Sequence, residues 1–472
     1  MLYILVFLSG FAGLVYQVLW MKQMGLLFGN TSQAAGATLA AFFAGLAVGS
    51  WYWGRRSVKA ANALKTYAWL EVGIAVTALI YFVILSLYYQ IYPFVYQNIN
   101  SQPTLLLIKF ALALLLIFPP AFCMGGTIPV IGQYIIRTRT VFGKKSALLY
   151  GINTLGAAAG ATMAGFFLPL WLGFTGTCAV AMSLSILIAV SVFLLSRNPL
   201  KDLSARYIPA ENPKSTPLNA PKKTKRRRPP KTQKQTQTKP QTLQSPIGRW
   251  SIMLVCFLSG FGVLALEVLW TRMFTQVLEN SVYTFAAILV IVLICLSAGA
   301  LISSALARLK ISPSLVLITL LVAGGLIIAA TPFIFMKITN SLQIIASRNT
   351  WPEYVMLIFQ KGFTAIGLPA LILGTVFPFL MKAEQTHSTS AGKSLGRLAA
   401  LNTTGAIIGS LACGFFLLET FGMWRTMQLI AAIYLVTAVV LPLAWTKKTL
   451  SLKAAGVISL ILLFTAFDPT GL

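Results

Sequence analysis

Long apolar segments separated by short polar loops recur along the whole chain. The first six fall at approximately 2–21, 32–54, 67–92, 104–136, 147–172 and 174–196. Six more fall at approximately 251–271, 282–307, 314–336, 355–381, 395–418 and 423–445, followed by a run at 454–467. A helix of about 20 apolar residues crosses the ~30 Å hydrocarbon core of a bilayer. The pattern predicts an all-α polytopic membrane protein with about 12–13 transmembrane helices.

Charged residues are sparse and collect in alternate loops. Hydrophobic residues make up 57% of the chain and charged residues 10%, which is too apolar for a soluble protein of 472 residues. The basic loops lie near 55–65, 137–145, 308–310, 382–397 and 447–453. The positive-inside rule then places the N-terminus in the cytoplasm. The expected location is the cell inner (plasma) membrane, which the chain crosses many times. A thirteenth helix would leave the C-terminus outside. The net charge of +28 is interpreted as this orientation signal, and no nucleic-acid partner is expected.

The segment between the two sets of apolar runs has a different composition. Residues 197–249 are rich in Pro, Lys, Arg, Gln and Thr, with few large apolar side chains to bury. Such a segment cannot offset its chain entropy, so a disordered, basic, cytoplasmic linker is expected. The predicted organisation is a first membrane repeat at 1–196, the linker at 197–249, a second repeat at 250–445 and an additional transmembrane helix within 446–472.

The two sets of helices are related by an internal duplication. "FLSGFAGLVYQVLW" at Phe7 returns as "FLSGFGVLALEVLW" at Phe257, and "PAFCMGGTIP" at Pro120 returns as "PALILGTVFP" at Pro369. "GINTLGAAAGATMAGFFL" also matches "ALNTTGAIIGSLACGFFL". Three matches in one order and at nearly one offset indicate a repeat. Each repeat has an even number of helices, so the two are parallel, which is the symmetry of major facilitator transporters.

Few side chains inside the apolar runs can ionise, and each is costly to leave unpaired. Glu267 stands where the first copy of the repeated motif has Gln17, and Glu71 lies in the third segment. These residues could bind a cationic substrate or carry a coupling proton, or they could hold the bundle together as structural partners. Arg272 is five positions from Glu267, a poor helical spacing for a pair, so a partner from another helix is expected.

Two further pairs occupy matching positions in the repeats. Asn153 aligns with Asn402, while Lys109 and Lys361 begin the fourth helix of each repeat. The asparagines are candidates for a polar solute site. The lysines could serve the same site or could extend toward the outer membrane surface.

Paired prolines follow those lysines. Pro120 and Pro129 in the first repeat, with Pro369 and Pro378 in the second, are predicted to break or kink their helices. Backbone carbonyls freed at membrane depth must be buried in protein or line a cavity. Broken helices in matching positions of two repeats are typical of a transport site, although a purely structural kink is the alternative.

Soluble catalysis has almost nothing to be built from. The chain has one histidine, His387, in a polar loop, and five cysteines without metal-ligand spacing. It has no HExxH, Walker A or GxSxG motif. No catalytic residue, metal or cofactor is therefore expected, and the protein is not expected to be an enzyme.

Several of these motifs, in order, resemble a known family. The repeated motifs, "YAWLEVGIA" and "GKKSALLYGINTLGAAAG" are similar to the membrane portion of spermidine-synthase-like membrane proteins, also called fused major-facilitator/spermidine-synthase proteins. In that family a soluble aminopropyltransferase-like domain often follows, and "FDPTGL" resembles its junction. We expect this chain to lack that domain. The resemblance therefore implies a membrane location and a link to polyamine-like chemistry, but not aminopropyl transfer.

Two functions stay open at this point. The first is a transporter for a small solute, with a polyamine-like cation as one candidate. The second is a non-transporting scaffold or subunit that docks a separately encoded aminopropyltransferase-like or other enzyme.

Overall fold

The computed structural model describes residues 1–28, 32–98, 101–197, 247–278, 282–309, 311–344, 350–441 and 447–465. Every element within these ranges is a helix, which confirms the all-α fold class. The predicted linker at 197–249 lies outside the described residues, apart from Arg197 and residues 247–249.

The first half of the chain forms six helical crossings. They comprise α1 (Leu2–Phe28), α2 (Ser32–Arg56), α3 (Ala63–Asn98), α4 (Gln102–Ile135), α5 (Phe142–Thr162) and α6 (Leu168–Ser196). A π turn at Met163–Phe167 joins α5 to α6 without a gap. The chain reverses direction at Gly173, whose φ of +67° is open to glycine and unfavourable for other residues. The fifth crossing thus ends, and the sixth begins, where the apolar segments 147–172 and 174–196 meet.

The second half repeats this arrangement and adds one helix. It comprises α7 (Arg249–Phe274), α8 (Val282–Leu306), α9 (Pro313–Ile338), α10 (Trp351–Gly362), α11 (Leu368–Glu384), α12 (Ala391–Ala412), α13 (Leu418–Val440) and α14 (Lys447–Thr465). A π turn at Phe363–Gly367 fuses α10 and α11 into one rod, and another at Cys413–Leu417 joins α12 to α13. Gly422, with φ +73°, reverses the chain as Gly173 does.

The lengths and apolar character of these helices fit a membrane protein. Nine described stretches are long and apolar enough to cross a membrane, and two of them, 139–196 and 391–440, each hold two crossings. Apolar side chains also point outward: on α3, Trp69, Leu79 and Val83 are all more than half exposed. Such a surface suits contact with lipid tails better than contact with water.

Corresponding helices make corresponding contacts in the two halves. In the first half α1 packs on α5, α2 on α4, and α3 on both α4 and α6. In the second half α7 packs on α12, α8 on α11, and α9 on both α11 and α13. The duplication in the sequence is therefore also a duplication in three dimensions, which confirms two parallel repeats.

Glycines allow the closest of these contacts. A Cβ added at Gly156 would collide with the backbone oxygen of Phe7, and one at Gly405 would collide with that of Phe257. The two pairs occupy the same place in the two halves. The GxxxG spacings in α5 and α12 therefore serve backbone-to-backbone packing against α1 and α7.

The two halves meet along two seams. One seam is α2 against α12, and the other is α5 against α8, so each seam joins the second helix of one half to the fifth helix of the other. Ser297 Oγ on α8 donates to the Gly151 carbonyl on α5 at 2.8 Å, and Ser304 Oγ donates to the Lys144 carbonyl at 3.1 Å. α1 and α7 make their main contacts within their own halves and lie between the seams.

We call the end of the bundle that carries the loops after α2, α4, α8 and α11 the basic end. The halves touch closely there. A Cβ at Gly54, near the end of α2, would lie 2.8 Å from the Gly396 Cα in the second turn of α12. Arg139 Nε donates to the Gln385 carbonyl at 2.6 Å, and Gln385 Nε2 donates to the Thr140 carbonyl at 3.1 Å. The basic end is therefore closed on both seams.

Pro120, Pro129 and Pro378 do not end the helices that contain them, and the predicted kinks stay a prediction. α4 continues as an α-helix through Pro120 and Pro129, and α11 continues through Pro378. Pro129 cannot bond the Gly125 carbonyl, four residues earlier, but Ser50 Oγ from α2 donates to that carbonyl at 2.8 Å. In the second half a π turn immediately precedes Pro369, and the helix continues through this proline. A neighbouring helix and a change of helical pitch thus absorb the defects.

Candidate functional site

Glu267 lies on α7, seven residues before the helix ends at Phe274. At 1.5 Å per residue it is about 10 Å from that end and about 27 Å from Arg249 at the basic end. The side chain is half-buried. Within the described residues its carboxylate has no hydrogen bond or ion pair. The partner expected on another helix is thus not found in the described part of the chain.

Gln17, the counterpart of Glu267 in the first half, has tighter surroundings. Gln17 is 9% exposed and is flanked on α1 by Tyr16 and Trp20, whose rings stack at 5.3 Å. Both neighbours are fully buried. The two matching positions therefore differ in chemistry and in accessibility, with the carboxylate at the more open one.

Glu71 lies within a buried polar cluster in the first half. The side chain is 1% exposed, and Ser9 Oγ on α1 donates to Glu71 Oε1 at 2.6 Å. The hydroxyls of Tyr67 on α3 and Ser185 on α6 face the same carboxyl group. Both of these hydroxyls are buried without a hydrogen bond of regular geometry. We call Ser9, Tyr67, Glu71 and Ser185 the Glu71 cluster.

The structure does not bring the two carboxyl groups together. Glu71 is eight residues beyond Ala63, so it lies about 12 Å into α3 from the basic end. Glu267 lies about 15 Å further from that end by the same measure. One acid is therefore sealed near the closed end, whereas the other is partly accessible toward the opposite end.

Asn153 and Asn402 take matching positions in helix packing. A Cβ at Gly10 would collide with the Asn153 carbonyl, and one at Gly260 would collide with the Asn402 carbonyl. Each asparagine therefore packs its backbone directly on a glycine of the first helix of its half. Asn402 Oδ1 is also buried without a hydrogen-bond partner among the described residues.

Lys361 contacts the end of another helix. Its Nζ donates to the Ile338 carbonyl at the end of α9, at 2.7 Å. It thus satisfies a carbonyl that the helix terminus leaves unpaired, and it complements the negative end of the helix dipole. Lys109, the matching residue on α4, is half-buried.

Charged residues cluster at the basic end, and the pattern of apolar runs does not predict this cluster. Glu384, fully buried at the end of α11, forms an ion pair with Arg397 on α12. Arg139 and Arg249 lie close enough to act on the same carboxylate. His387 Nε2 is also 2.9 Å from the Ile247 carbonyl, just before α7. These residues stand in loops and helix ends, where charge is unremarkable in a sequence, so no sequence signal separated them from solvated residues.

Metal-ligand geometry gives no further candidate. Among the described residues, no group of three or more His, Cys, Asp or Glu side chains is placed to hold a metal ion.

Comparison with solved structures defines the class of fold. The chain is similar to the major facilitator proton:xylose symporter XylE bound to 6-bromo-6-deoxy-D-glucose, with a TM-score of 0.51 and 13% sequence identity over 95% of this chain and 98% of that one. It also matches the nucleoside transporter NupG, at a TM-score of 0.43 and 14% identity over 96% and 98% of the two chains. A third match is the E. coli fucose:proton symporter FucP, at 0.44 and 14% over 92% and 96%.

The first of these matches, together with the paired halves, shows the major facilitator fold. No protein-family model and no curated protein matches the sequence. The chain is thus a multi-pass membrane protein with this fold.

Proposed function

We propose that this protein is a transporter that moves a small solute by alternating access between its two halves. The observation that carries the proposal is the half-buried Glu267 carboxylate, which has no partner among the described residues although it lies inside a membrane-spanning helix. An unpaired acid at that depth costs several kcal/mol unless a cation or a proton offsets it. A cationic group on a solute would supply that charge.

The seams support a rocking motion of one half against the other. Glycine and serine line part of both seams, and Ser297 and Ser304 donate across one of them to backbone carbonyls. Each such hydrogen bond contributes about 1 kcal/mol net, so breaking these bonds would cost little. In this proposal the closed basic end is cytoplasmic, and the two halves separate there to release solute.

Spermidine is the probe of choice for a cationic solute. The resemblance to spermidine-synthase-like membrane proteins supports polyamine-like chemistry, and the carboxylate of Glu267 suits an ammonium group. The matching solved structures carry no argument for this substrate, because two are named for sugars and one for nucleosides.

The test is uptake of radiolabelled spermidine and, separately, of xylose into vesicles that contain the purified full-length protein. Glu267→Gln should lower spermidine uptake by about tenfold or more, since a partly buried ion pair is worth more than the ~1.4 kcal/mol that tenfold represents. The change is conservative because Gln17 already occupies the matching position. Glu353→Gln, at an exposed acid in the first turn of α10, is the matched control.

Three outcomes separate the parts of the proposal. Spermidine uptake that depends on Glu267 and not on Glu353 supports it. Xylose uptake without spermidine uptake would keep transport and reject a cationic solute. Equal spermidine fluxes in wild type and Glu267→Gln would remove Glu267 from the pathway. The scaffold function stays a prediction, because no described contact bears on a partner enzyme.

A further inference from the structure

We propose that the Glu71 cluster is a proton-carrying site, separate from the solute site and confined to the first half. This inference rests on the proposed transport function, because the proton is inferred to bind and leave during the transport cycle.

The charge balance around Glu71 calls for a bound cation. The carboxyl group is 1% exposed, and the neighbours that act on it are the hydroxyls of Ser9, Tyr67 and Ser185. No lysine or arginine is among them. Hydroxyl groups stabilise an ionised carboxylate by hydrogen bonding but do not neutralise it, and a net charge at this depth is costly. A bound cation is therefore required.

The hydrogen bonds around the Glu71 carboxyl group indicate which cation is bound. Ser9 Oγ already donates to Oε1 at 2.6 Å. The Tyr67 and Ser185 oxygens are buried without a regular partner. A protonated carboxyl has one O–H donor, whereas an ionised one can only accept. A proton on Oε2 would remove the negative charge of Glu71 and would let its O–H donate to one of these two oxygens, so a proton supplies the missing charge and fits the hydrogen bonds of the cluster.

Other titratable groups also face the Glu71 cluster. Tyr16 on α1 and Cys123 on α4 both interact electrostatically with Glu71, and Cys178 on α6 interacts with Tyr16 in the same way. All three are neutral as phenol or thiol in ordinary conditions. Glu71 is thus the group that gains and loses the proton.

The position of the Glu71 cluster couples it to movement of the helices. The cluster joins three helices, because Ser9 lies on α1, Glu71 and Tyr67 on α3, and Ser185 on α6. These helices all belong to the first half, so breaking the Ser9 bond would require α1 to shift within that half in addition to the rocking of the two halves. Glu71 also lies about 12 Å from the basic end, so separation of the halves there shortens its path to water.

The second half provides an internal comparison. The offset of 250 that relates Gln17 to Glu267 relates Tyr67 to Leu317 and Glu71 to Leu321. Leu317 and Leu321 are buried in the apolar core of that half. Packing at this position therefore does not require a carboxyl group, and a structural role alone leaves the acid in the first half unexplained.

The experiment is infrared difference spectroscopy of the purified full-length protein as the pH is varied, which follows the C=O stretch of a protonated carboxyl. Wild type, Glu267→Gln and Glu353→Gln should all keep a pH-dependent band assigned to Glu71. Glu71→Gln, which is nearly isosteric, and Glu71→Leu, which copies Leu321, should lose it completely. Elution as a single symmetric species shows that each variant is folded, and Glu71→Gln alone suffices if the leucine variant fails.

Solute flux driven by a pH gradient is measured in the same vesicles. Glu71→Gln should let solute equilibrate but should abolish accumulation against a gradient. A band that survives in Glu71→Gln overturns the proposal, as does accumulation equal to wild type. A band removed by Na⁺ at constant pH would assign a sodium ion instead and would also overturn it. If wild type moves no tested solute, transport fails as a function, while the spectra still decide whether Glu71 binds a proton.

Discussion

The Gly392 backbone N–H, in the first turn of α12, donates a hydrogen bond of 2.7 Å to Gln133 Oε1 on α4. The bond joins the two halves at the basic end. An equivalent contact joins α5 to α11, where a Cβ at Gly143 would lie 2.7 Å from the Lys382 Cα. An offset of 249 converts Gln133 and Gly143 into Lys382 and Gly392. Closure at this end is therefore built twice from the same two positions.

A methyl group added on the α2–α12 seam should oppose this closure. Gly396→Ala would place a Cβ against the Ser50 carbonyl and within 2.8 Å of the Gly54 Cα, both backbone atoms of α2. We expect a loss of about 1–3 kcal/mol from overpacking, seen as a lower midpoint of thermal unfolding in detergent. Gly414→Ala is the matched control, because no described atom lies within 4 Å of its Cβ position. Equal midpoints for the two variants would mean that the seam is not tightly packed.

The ion pair between Glu384 and Arg397 should stabilise the basic end strongly. Glu384 is fully buried, and Glu384→Gln would leave Arg397 without its counter-charge. We expect about 3 kcal/mol of destabilisation, because removal of one partner leaves an uncompensated charge. The double variant Glu384→Gln, Arg397→Gln should lose less than the sum of the single changes. Additive losses in a double-mutant cycle would show that the two side chains do not interact.

Ser50 should be needed only as long as Pro129 is present. Ser50→Ala removes the hydroxyl that satisfies the Gly125 carbonyl and should cost about 1–3 kcal/mol. Pro129→Ala restores a backbone N–H four residues beyond Gly125, so it should rescue Ser50→Ala in thermal unfolding. A double variant no more stable than Ser50→Ala would indicate that the serine acts through some other contact.

Lys361 should prove structural rather than part of a solute site. Lys361→Met keeps the aliphatic length but removes the donor to the Ile338 carbonyl, and we expect about 1 kcal/mol of destabilisation. Spermidine uptake per folded protein should stay within about twofold of wild type. A larger loss of uptake, with thermal stability unchanged, would return Lys361 to the candidate site.

The fold was readable from the sequence because its main signals are local. Apolar runs of membrane length gave the crossings, and the repeated motifs gave two parallel halves. Even the reversals at Gly173 and Gly422 fall where one apolar run gives way to the next. The glycines of α5 and α12 that pack on α1 and α7 also have a local spacing, GxxxG, that is visible in the sequence.

The site was less readable because it depends on contacts between distant segments. Glu71 and Glu267 stood out as rare acids, but Ser9 is 62 residues from Glu71 and looks like any helical serine. The sequence also could not show that Ser50, on another helix, satisfies the carbonyl that Pro129 leaves without a partner. The contact of Lys361 was equally unreadable, since its acceptor belongs to the end of α9.

The twofold construction of the basic end has the symmetry of an interface between two identical subunits. Gln133 meets Gly392 and Lys382 meets Gly143, so each half presents the same pair of positions to the other. Two identical copies related by a twofold axis make contacts of this reciprocal kind. The interface that holds this polypeptide closed is therefore isologous in form: each half gives and receives the same contact, as the subunits of a symmetric dimer do.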